Sequence, residues 1–111
     1  MGQWDARERR NYVRVPVHLH ASLTSAYATE GATVSNLSSD GCRLKSPLAP
    51  REGTELAIHL HVADERSTIR IDRAVVRWSA GPDFGVQFLL MGIHEADQLQ
   101  RIVKQFAPGD S

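Results

Sequence analysis

Hydrophobic and polar residues alternate with a period of two along most of this chain. Between residues 13 and 23 the odd-numbered positions are apolar, whereas Arg14, His18 and His20 occupy the other face. This pattern predicts a half-buried β-strand, because successive side chains of a strand point to opposite faces. Pro16 has no amide hydrogen to donate and indicates an edge or a bulge in this strand. Shorter apolar stretches predict further strands at residues 32–35, 42–44, 56–62, 69–78 and 85–88.

The predicted strand at residues 69–78 changes parity in its middle. Ile69 and Ile71 are odd-numbered apolar positions, whereas Val76 and Trp78 are even-numbered. A regular strand keeps its parity, so we expect a β-bulge near residues 72–73. Polar or Gly/Pro-containing turns are predicted at residues 27–31, 36–41 and 79–83.

After Gly92 the apolar residues recur at helical spacing, which predicts an amphipathic helix at about residues 93–107. Its predicted buried face comprises Ala96, Leu99, Ile102, Val103 and Phe106. Six short strands followed by one helix favour an all-β fold with a C-terminal helix. We expect a small antiparallel barrel whose end or open side is covered by that helix.

Composition adds limits on the kind of protein this is. The chain has 111 residues, 41% hydrophobic and 23% charged, which is typical of one globular domain. Thirteen Lys and Arg residues balance thirteen Asp and Glu residues, so the total charge does not favour DNA binding. The longest apolar run, residues 88–91, is too short to insert into a membrane, and the N-terminus lacks an apolar signal segment, so we expect a cytoplasmic protein. The single Cys42 permits no intrachain disulfide and is expected to be a small buried strand residue.

Positive charge is nevertheless concentrated close to the N-terminus. Arg7, Arg9, Arg10 and Arg14 lie within eight residues of one another. Guanidinium groups bind phosphate in a bidentate manner and also hydrogen-bond or stack on guanine. We therefore expect residues 1–12 to form a flexible arm that attracts an anionic ligand, because they precede the first periodic strand.

The polar turn at residues 36–41 is the second candidate for ligand binding. Asn36 and Ser38 carry groups that can hydrogen-bond a purine edge or a ribose hydroxyl. Gly41 has no side chain and would permit a close approach of the backbone. Together with the arm, this turn predicts a nucleotide site with phosphates over the arginines and bases over the turn.

These two motifs resemble the signature of the PilZ domain family, the bacterial receptor module for the second messenger cyclic di-GMP. That signature is Arg-x-x-x-Arg, followed about 20–25 residues later by Asp/Asn-x-Ser-x-x-Gly, and here the motifs occupy residues 10–14 and 36–41. A strand that ends in Trp78 and the Phe-Gly-Val-x-Phe segment at residues 84–88 are further shared features. The resemblance extends over residues 7–106, and its one mild departure is Asn36, where Asp is more common.

The resemblance implies a six-stranded antiparallel barrel with a C-terminal helix. The barrel and the helix together would occupy residues 13–111. It implies that the arginines hold the phosphates and guanines and that the polar turn lines the surface beneath a guanine. Because an arginine precedes the first motif arginine, it also implies two stacked cyclic di-GMP molecules per chain. The expected ligand-binding residues are Arg9, Arg10, Arg14, Asn36, Ser38, Gly41 and Trp78.

The expected function is therefore that of a non-enzymatic cyclic di-GMP receptor, whose arm changes conformation on binding and which regulates an unidentified protein effector. It needs no metal, cofactor or catalytic residue. One alternative is a PilZ-like adaptor that binds proteins but no nucleotide, against which the intact motifs argue.

Two features of the sequence leave alternatives open. A small metal-binding or enzymatic barrel would use the strand histidines at residues 18, 20, 59 and 61, although a polar outer face is the more ordinary explanation. For Trp78 the alternative to stacking on a guanine is core packing, because Ala74 and Val76 share its parity.

Overall fold

The computed structural model describes residues 14–62 and 68–106. Its elements are β1 (Val15–Thr24), β2 (Thr29–Leu37), β3 (Gly41–Lys45), β4 (Glu55–His61), β5 (Thr68–Ala80), β6 (Asp83–Leu90) and α1 (Ile93–Phe106). The strands pair in antiparallel fashion and close a barrel in the order β1-β2-β3-β6-β5-β4. The predicted six-stranded barrel with a C-terminal helix is therefore confirmed.

Register shifts bend several strands of the barrel. In β5 a shift against β6 lies between Arg73 and Ala74, which confirms the bulge predicted from the change of parity. A second shift, between Val76 and Trp78, was not predicted from the sequence. In β1 the register shifts between Pro16 and Leu19, as the missing amide hydrogen of the proline indicated. Bulges of this kind increase local bend and twist, which helps a short sheet to close.

The barrel interior is filled by the inward-facing apolar residues of all six strands. Phe84, Leu44 and Ile58 are among its largest fully buried side chains. Helix α1 packs against β1 and β5 and buries Leu99, Ile102 and Val103 against this core. Phe106, the last residue of α1, is 44% exposed, so the predicted buried face ends at Val103. None of the helices among the described residues has the length and hydropathy needed to cross a membrane.

Two hairpin turns show how local sequence sets the strand connections. The turn between β1 and β2 lies earlier than predicted, at residues 25–28, where the Ser25 hydroxyl accepts a hydrogen bond from the Ala28 amide at 3.1 Å. Gly31, predicted to lie in this turn, instead pairs with Ser22 inside the sheet. The β5–β6 turn is formed by residues 81–82, and Gly81 has a φ of 67°, which glycine adopts without steric cost.

Candidate ligand-binding site

A cavity of about 670 Å³ lies on the outside of the barrel, next to the start of β1. Side chains or backbone from β2, β3, β5 and β6 form its walls and floor. The lining residues are Arg14, Asn36, Asp40, Gly41, Cys42, Arg43, Arg77, Trp78, Gly85, Val86 and Gln87. This volume lies within the range of about 300–1,000 Å³ that is usual for small-molecule sites.

Three arginines give the cavity a positive character. Arg14 precedes β1, Arg43 lies on β3 and Arg77 lies on β5. Arg77 is oriented by a 2.8 Å hydrogen bond from its Nε to Oε1 of Gln87. The ion pairs among the described residues do not involve these arginines, and guanidinium groups are suited to bind an anionic ligand.

Trp78 forms one wall of the cavity and is 41% exposed. The register shift that precedes it turns the indole outward, so the alternative of core packing is wrong. The ring lies over Gly85, where an added Cβ would collide with the indole Nε1. The guanidinium carbon of Arg43 is 5.5 Å from the ring centroid, a cation–π contact. Glycine on β6 therefore makes room for an aromatic and guanidinium surface.

The polar turn that follows β2 is held together by its serine. Ser38 is fully buried, and its hydroxyl donates to Oδ1 of Asp40 at 2.7 Å. Oγ of Ser38 also accepts a hydrogen bond from the Asp40 amide at 3.3 Å. Ser38 was expected to line the ligand surface, but the structure places it beneath the turn, and the neighbouring Asp40 lines the cavity instead.

Gly41 contributes backbone to the cavity, but its lack of a side chain serves the sheet. A Cβ at this position would collide with the main-chain oxygen of Val86 on β6. Gly41 therefore does allow a close approach to its backbone, but the group that approaches is the main chain of β6.

Asn36 lies on β2 opposite Arg43 and is half-buried at the edge of the cavity. Its side-chain oxygen Oδ1 is buried and has no hydrogen-bond donor in the described part of the chain. An unsatisfied buried acceptor costs about 1–3 kcal/mol, and such groups in folded proteins call for an explanation. A bound donor at this position would remove that cost.

Cys42 is buried on β3, as predicted. Burial raises the pKa of its thiol strongly, and the positive charge of Arg14 opposes this increase only in part. The thiol therefore stays protonated at neutral pH and does not supply a nucleophile to the cavity.

The structure thus brings together Arg14, Asn36, Gly41 and Trp78 from distant parts of the sequence. Arg9 and Arg10 lie outside the described residues. Sequence reasoning missed seven lining residues, of which four have polar or charged side chains, namely Asp40, Arg43, Arg77 and Gln87. Arg43 on β3 and Gln87 on β6 occupy outward positions beside the recognised motifs. Strand parity was therefore a signal that could have indicated these two residues.

The strand histidines lie elsewhere on the barrel. His20 on β1 is opposite His61 on β4, and Ser22 is opposite His59. Within residues 14–62 and 68–106, no group of three or more His, Cys, Asp or Glu side chains is arranged to hold a metal ion. The histidines are therefore outward polar residues, separate from the cavity.

Several solved structures share this fold. The Bacillus subtilis inhibitor of motility MotI/DgrA has a TM-score of 0.71 at 18% identity, and the alignment covers 87% of this chain and 50% of that protein. This chain thus spans about half the length of MotI/DgrA. The PilZ domain of Escherichia coli YcgR, solved with c-di-GMP, has a TM-score of 0.70 at 19% identity, covering 88% and 91%. The PilZ domain of CeSA from a cellulose-synthesizing bacterium gives 0.66 at 14% identity, covering 84% and 96%.

A search of curated proteins gives no match to this chain. The sequence model of the PilZ domain, by contrast, matches residues 8–105. That match covers both short motifs, all six strands and nearly all of α1. This chain belongs to the PilZ domain family.

Proposed function

We propose that this protein is a bacterial cytoplasmic receptor for cyclic di-GMP, which changes the conformation of its arm on binding and thereby regulates a partner protein. One observation carries the proposal. Three arginines, an exposed tryptophan and a buried acceptor that has no donor among the described residues meet in one cavity of suitable size. These groups complement the phosphates, the base faces and the base edges of a guanine nucleotide, respectively.

Phosphate binding is assigned to the arginines that line the cavity and to those that precede β1. Arg14 lines it directly, and Arg10 precedes Arg14 by four residues. A segment of that length spans at most about 14 Å, so Arg10 can reach the same ligand. Each charge-assisted hydrogen bond contributes about 1.5–3 kcal/mol. A ligand that recruits the arm in this way makes contacts that the free protein lacks, which is the requirement for a conformational switch.

Guanine binding is assigned to Asn36 and Trp78, which line the same cavity. The buried oxygen of Asn36, which lacks a donor within residues 14–62 and 68–106, would accept a hydrogen bond from a guanine N–H. The indole of Trp78, backed by Gly85, presents a face on which a base can stack. Ser38 contributes by holding the turn and Gly41 by letting β3 approach β6.

Two of the solved relatives support this proposal. The YcgR domain was solved with c-di-GMP, and MotI/DgrA is described as an inhibitor of motility. A nucleotide-responsive domain that acts on another protein agrees with both. The regulated partner of this chain is a protein effector that remains to be identified by experiment.

We further propose that two cyclic di-GMP molecules bind per chain. Arg9 adds a third guanidinium to Arg10 and Arg14, and a stacked ligand pair brings four phosphate charges together. Two close like charges repel by about 1 kcal/mol even at the dielectric constant of water, so an additional cation offsets part of this cost. Native mass spectrometry at saturating ligand is expected to show two ligands on the wild type and one on Arg9→Ala. A single ligand on the wild type would contradict the two-ligand proposal and the role of Arg9, but it would not contradict the receptor proposal.

Isothermal titration of the full chain with cyclic di-GMP tests the proposed function directly. We expect saturable heat with cyclic di-GMP and much weaker binding of cyclic di-AMP. Arg10→Ala is expected to lose at least tenfold in affinity while keeping the wild-type melting temperature. Absence of binding at millimolar ligand would contradict the receptor proposal and favour an adaptor that binds only proteins.

A further inference from the structure

We propose that Asp40 selects the base in this cavity, by accepting hydrogen bonds from the N1–H and N2–H groups of a bound guanine. Sequence motifs did not single out this residue. The inference rests on the proposed function, because it names the group that sets base specificity within the same site.

Asp40 is the one carboxylate among the described residues that line the cavity. It is half-buried, and its Oδ1 accepts the Ser38 hydroxyl at 2.7 Å. Three arginines line the same cavity, yet the ion pairs in the described ranges do not include Asp40. The carboxylate is thus held by a neutral hydroxyl and keeps acceptor capacity that none of the arginines in the described ranges uses.

The position of Asp40 is fixed from several directions. Its amide donates to the Ser38 hydroxyl oxygen, and its carbonyl accepts the Phe88 amide of β6 at 2.8 Å. The Ser38 amide donates to the Gly41 carbonyl at 2.9 Å, which closes the turn around it. A side chain on so restrained a backbone loses little conformational entropy when a ligand binds, so its hydrogen bonds contribute more fully to affinity.

A carboxylate can discriminate between purines where an amide cannot. Guanine presents two adjacent donors, N1–H and N2–H, whereas adenine presents an acceptor, N1, beside its N6 donor. An ionised Asp40 only accepts, so it would stabilise guanine and repel the N1 lone pair of adenine. The amide of Asn36 has both a donor and an acceptor and can pair with either base. Specificity is therefore assigned to Asp40, with Ser38 as the residue that positions it.

The experiment compares wild type and Asp40→Asn by isothermal titration with three ligands: cyclic di-GMP, cyclic di-AMP and cyclic di-IMP. Inosine keeps the N1–H of guanine but lacks the 2-amino group. The substitution preserves size, and the new amide oxygen can still accept from Ser38. We expect Asp40→Asn to weaken the binding of cyclic di-GMP about tenfold, or about 1.4 kcal/mol, because the amide replaces one acceptor oxygen with a donor.

The decisive quantity is the ratio of the affinities for cyclic di-GMP and cyclic di-IMP. We expect this ratio to be about tenfold in the wild type and no more than about threefold in Asp40→Asn, with cyclic di-AMP binding improved relative to cyclic di-GMP. Asp83→Asn serves as a matched control, because Asp83 is a half-buried carboxylate at the start of β6 that does not line the cavity. It is expected to keep both the affinity and the ratio.

Other outcomes would overturn the inference. An unchanged affinity and ratio in Asp40→Asn would show that the carboxylate does not contact the guanine edge, while wild-type binding of cyclic di-GMP would leave the proposed function intact. Equal wild-type affinities for cyclic di-GMP and cyclic di-IMP would also show that the carboxylate does not contact the 2-amino group of guanine. That comparison uses only the wild type, so it does not depend on whether a variant folds. Absence of wild-type binding to all three ligands would overturn both proposals together.

Discussion

The barrel carries two outward polar faces that differ in what their side chains do. We call the residues that line the cavity the cavity face. We call the outward residues of β1 and β4 the histidine face. On the histidine face His20 is opposite His61, and the Ser22 hydroxyl is 3.2 Å from the His61 Nε2. These polar groups contact one another across two adjacent strands and are open to solvent.

The cavity face is built differently. Gly85 leaves room for the indole of Trp78 on this face, and Gly41 lets β3 approach the main chain of β6 beneath it. One buried acceptor, Oδ1 of Asn36, has no donor in the described part of the chain. Both faces follow the same alternation of polar and apolar residues. Concavity and unsatisfied hydrogen-bonding capacity therefore distinguish a candidate binding surface from an ordinary solvated one.

The largest expected effect comes from filling the glycine position of the cavity face. In Gly41→Ala the new Cβ collides with the main-chain oxygen of Val86, so β3 and β6 must separate. We expect a loss of about 2–3 kcal/mol in the free energy of unfolding and a melting temperature lower by about 10 °C or more. Gly31→Ala is the control, because open space surrounds that position. Equal melting temperatures for the two variants would contradict this account of Gly41.

Removing a side chain from each face in turn tests which of the two faces binds the ligand. Arg14→Ala is expected to weaken cyclic di-GMP at least tenfold, because it deletes a charge-assisted contact worth about 1.5–3 kcal/mol. Isothermal titration measures the change. His20→Ala, on the outward side of β1, is expected to alter affinity less than about twofold and serves as the matched control. Similar losses in both variants would argue that the ligand does not bind on the cavity face.

The aromatic wall is expected to have the next largest effect. Trp78→Ala removes the stacking surface, so affinity should decrease about fivefold, or about 1 kcal/mol. Trp78→Phe should retain most of the affinity, since it keeps an aromatic face over Gly85. Tyr27→Ala removes an aromatic residue that is 97% exposed and should leave titrations unchanged. Wild-type affinity in Trp78→Ala would exclude base stacking on the indole.

The smallest expected effect lies on the outer surface of β4 and β5, where Glu55 and Arg73 form an exposed ion pair at 2.9 Å. The hydrogen bonds and charge of Arg73 hold the pKa of Glu55 below its ordinary value of 4.5. A lowered folded-state pKa gives stability that is complete above pH 4.5 and is lost as the pH falls through the folded-state value.

Thermal unfolding of Glu55→Gln and wild type at two pH values measures this contribution. We expect the variant to melt slightly below the wild type at pH about 7 and at the same temperature once the pH lies below the lowered pKa of Glu55, because Glu55 is then protonated in both states. A difference of equal size at both pH values would show that the pair acts through packing instead of charge.

Periodicity alone predicted the secondary-structure elements of this protein and the class of fold that they form. Alternation predicted the strands, the change of parity at residues 72–73 predicted the bulge, and helical spacing after Gly92 predicted α1. These features are local, because the side-chain direction of a residue within a regular element depends on its immediate neighbours. The order and spacing of two short motifs likewise indicated the family.

Only the tertiary structure decided which side chains meet in the cavity. Trp78 shares the parity of the buried Val76, and only the register shift between them turns the indole outward. Ser38 fits the family motif, yet burial beneath the turn makes it a support for Asp40. Arg43 joins the site because β3 pairs with β6 and β6 with β5, which places Gly85 between the arginine and the tryptophan. Such neighbours arise from pairing between strands distant in sequence, and a one-dimensional pattern carries no record of that pairing.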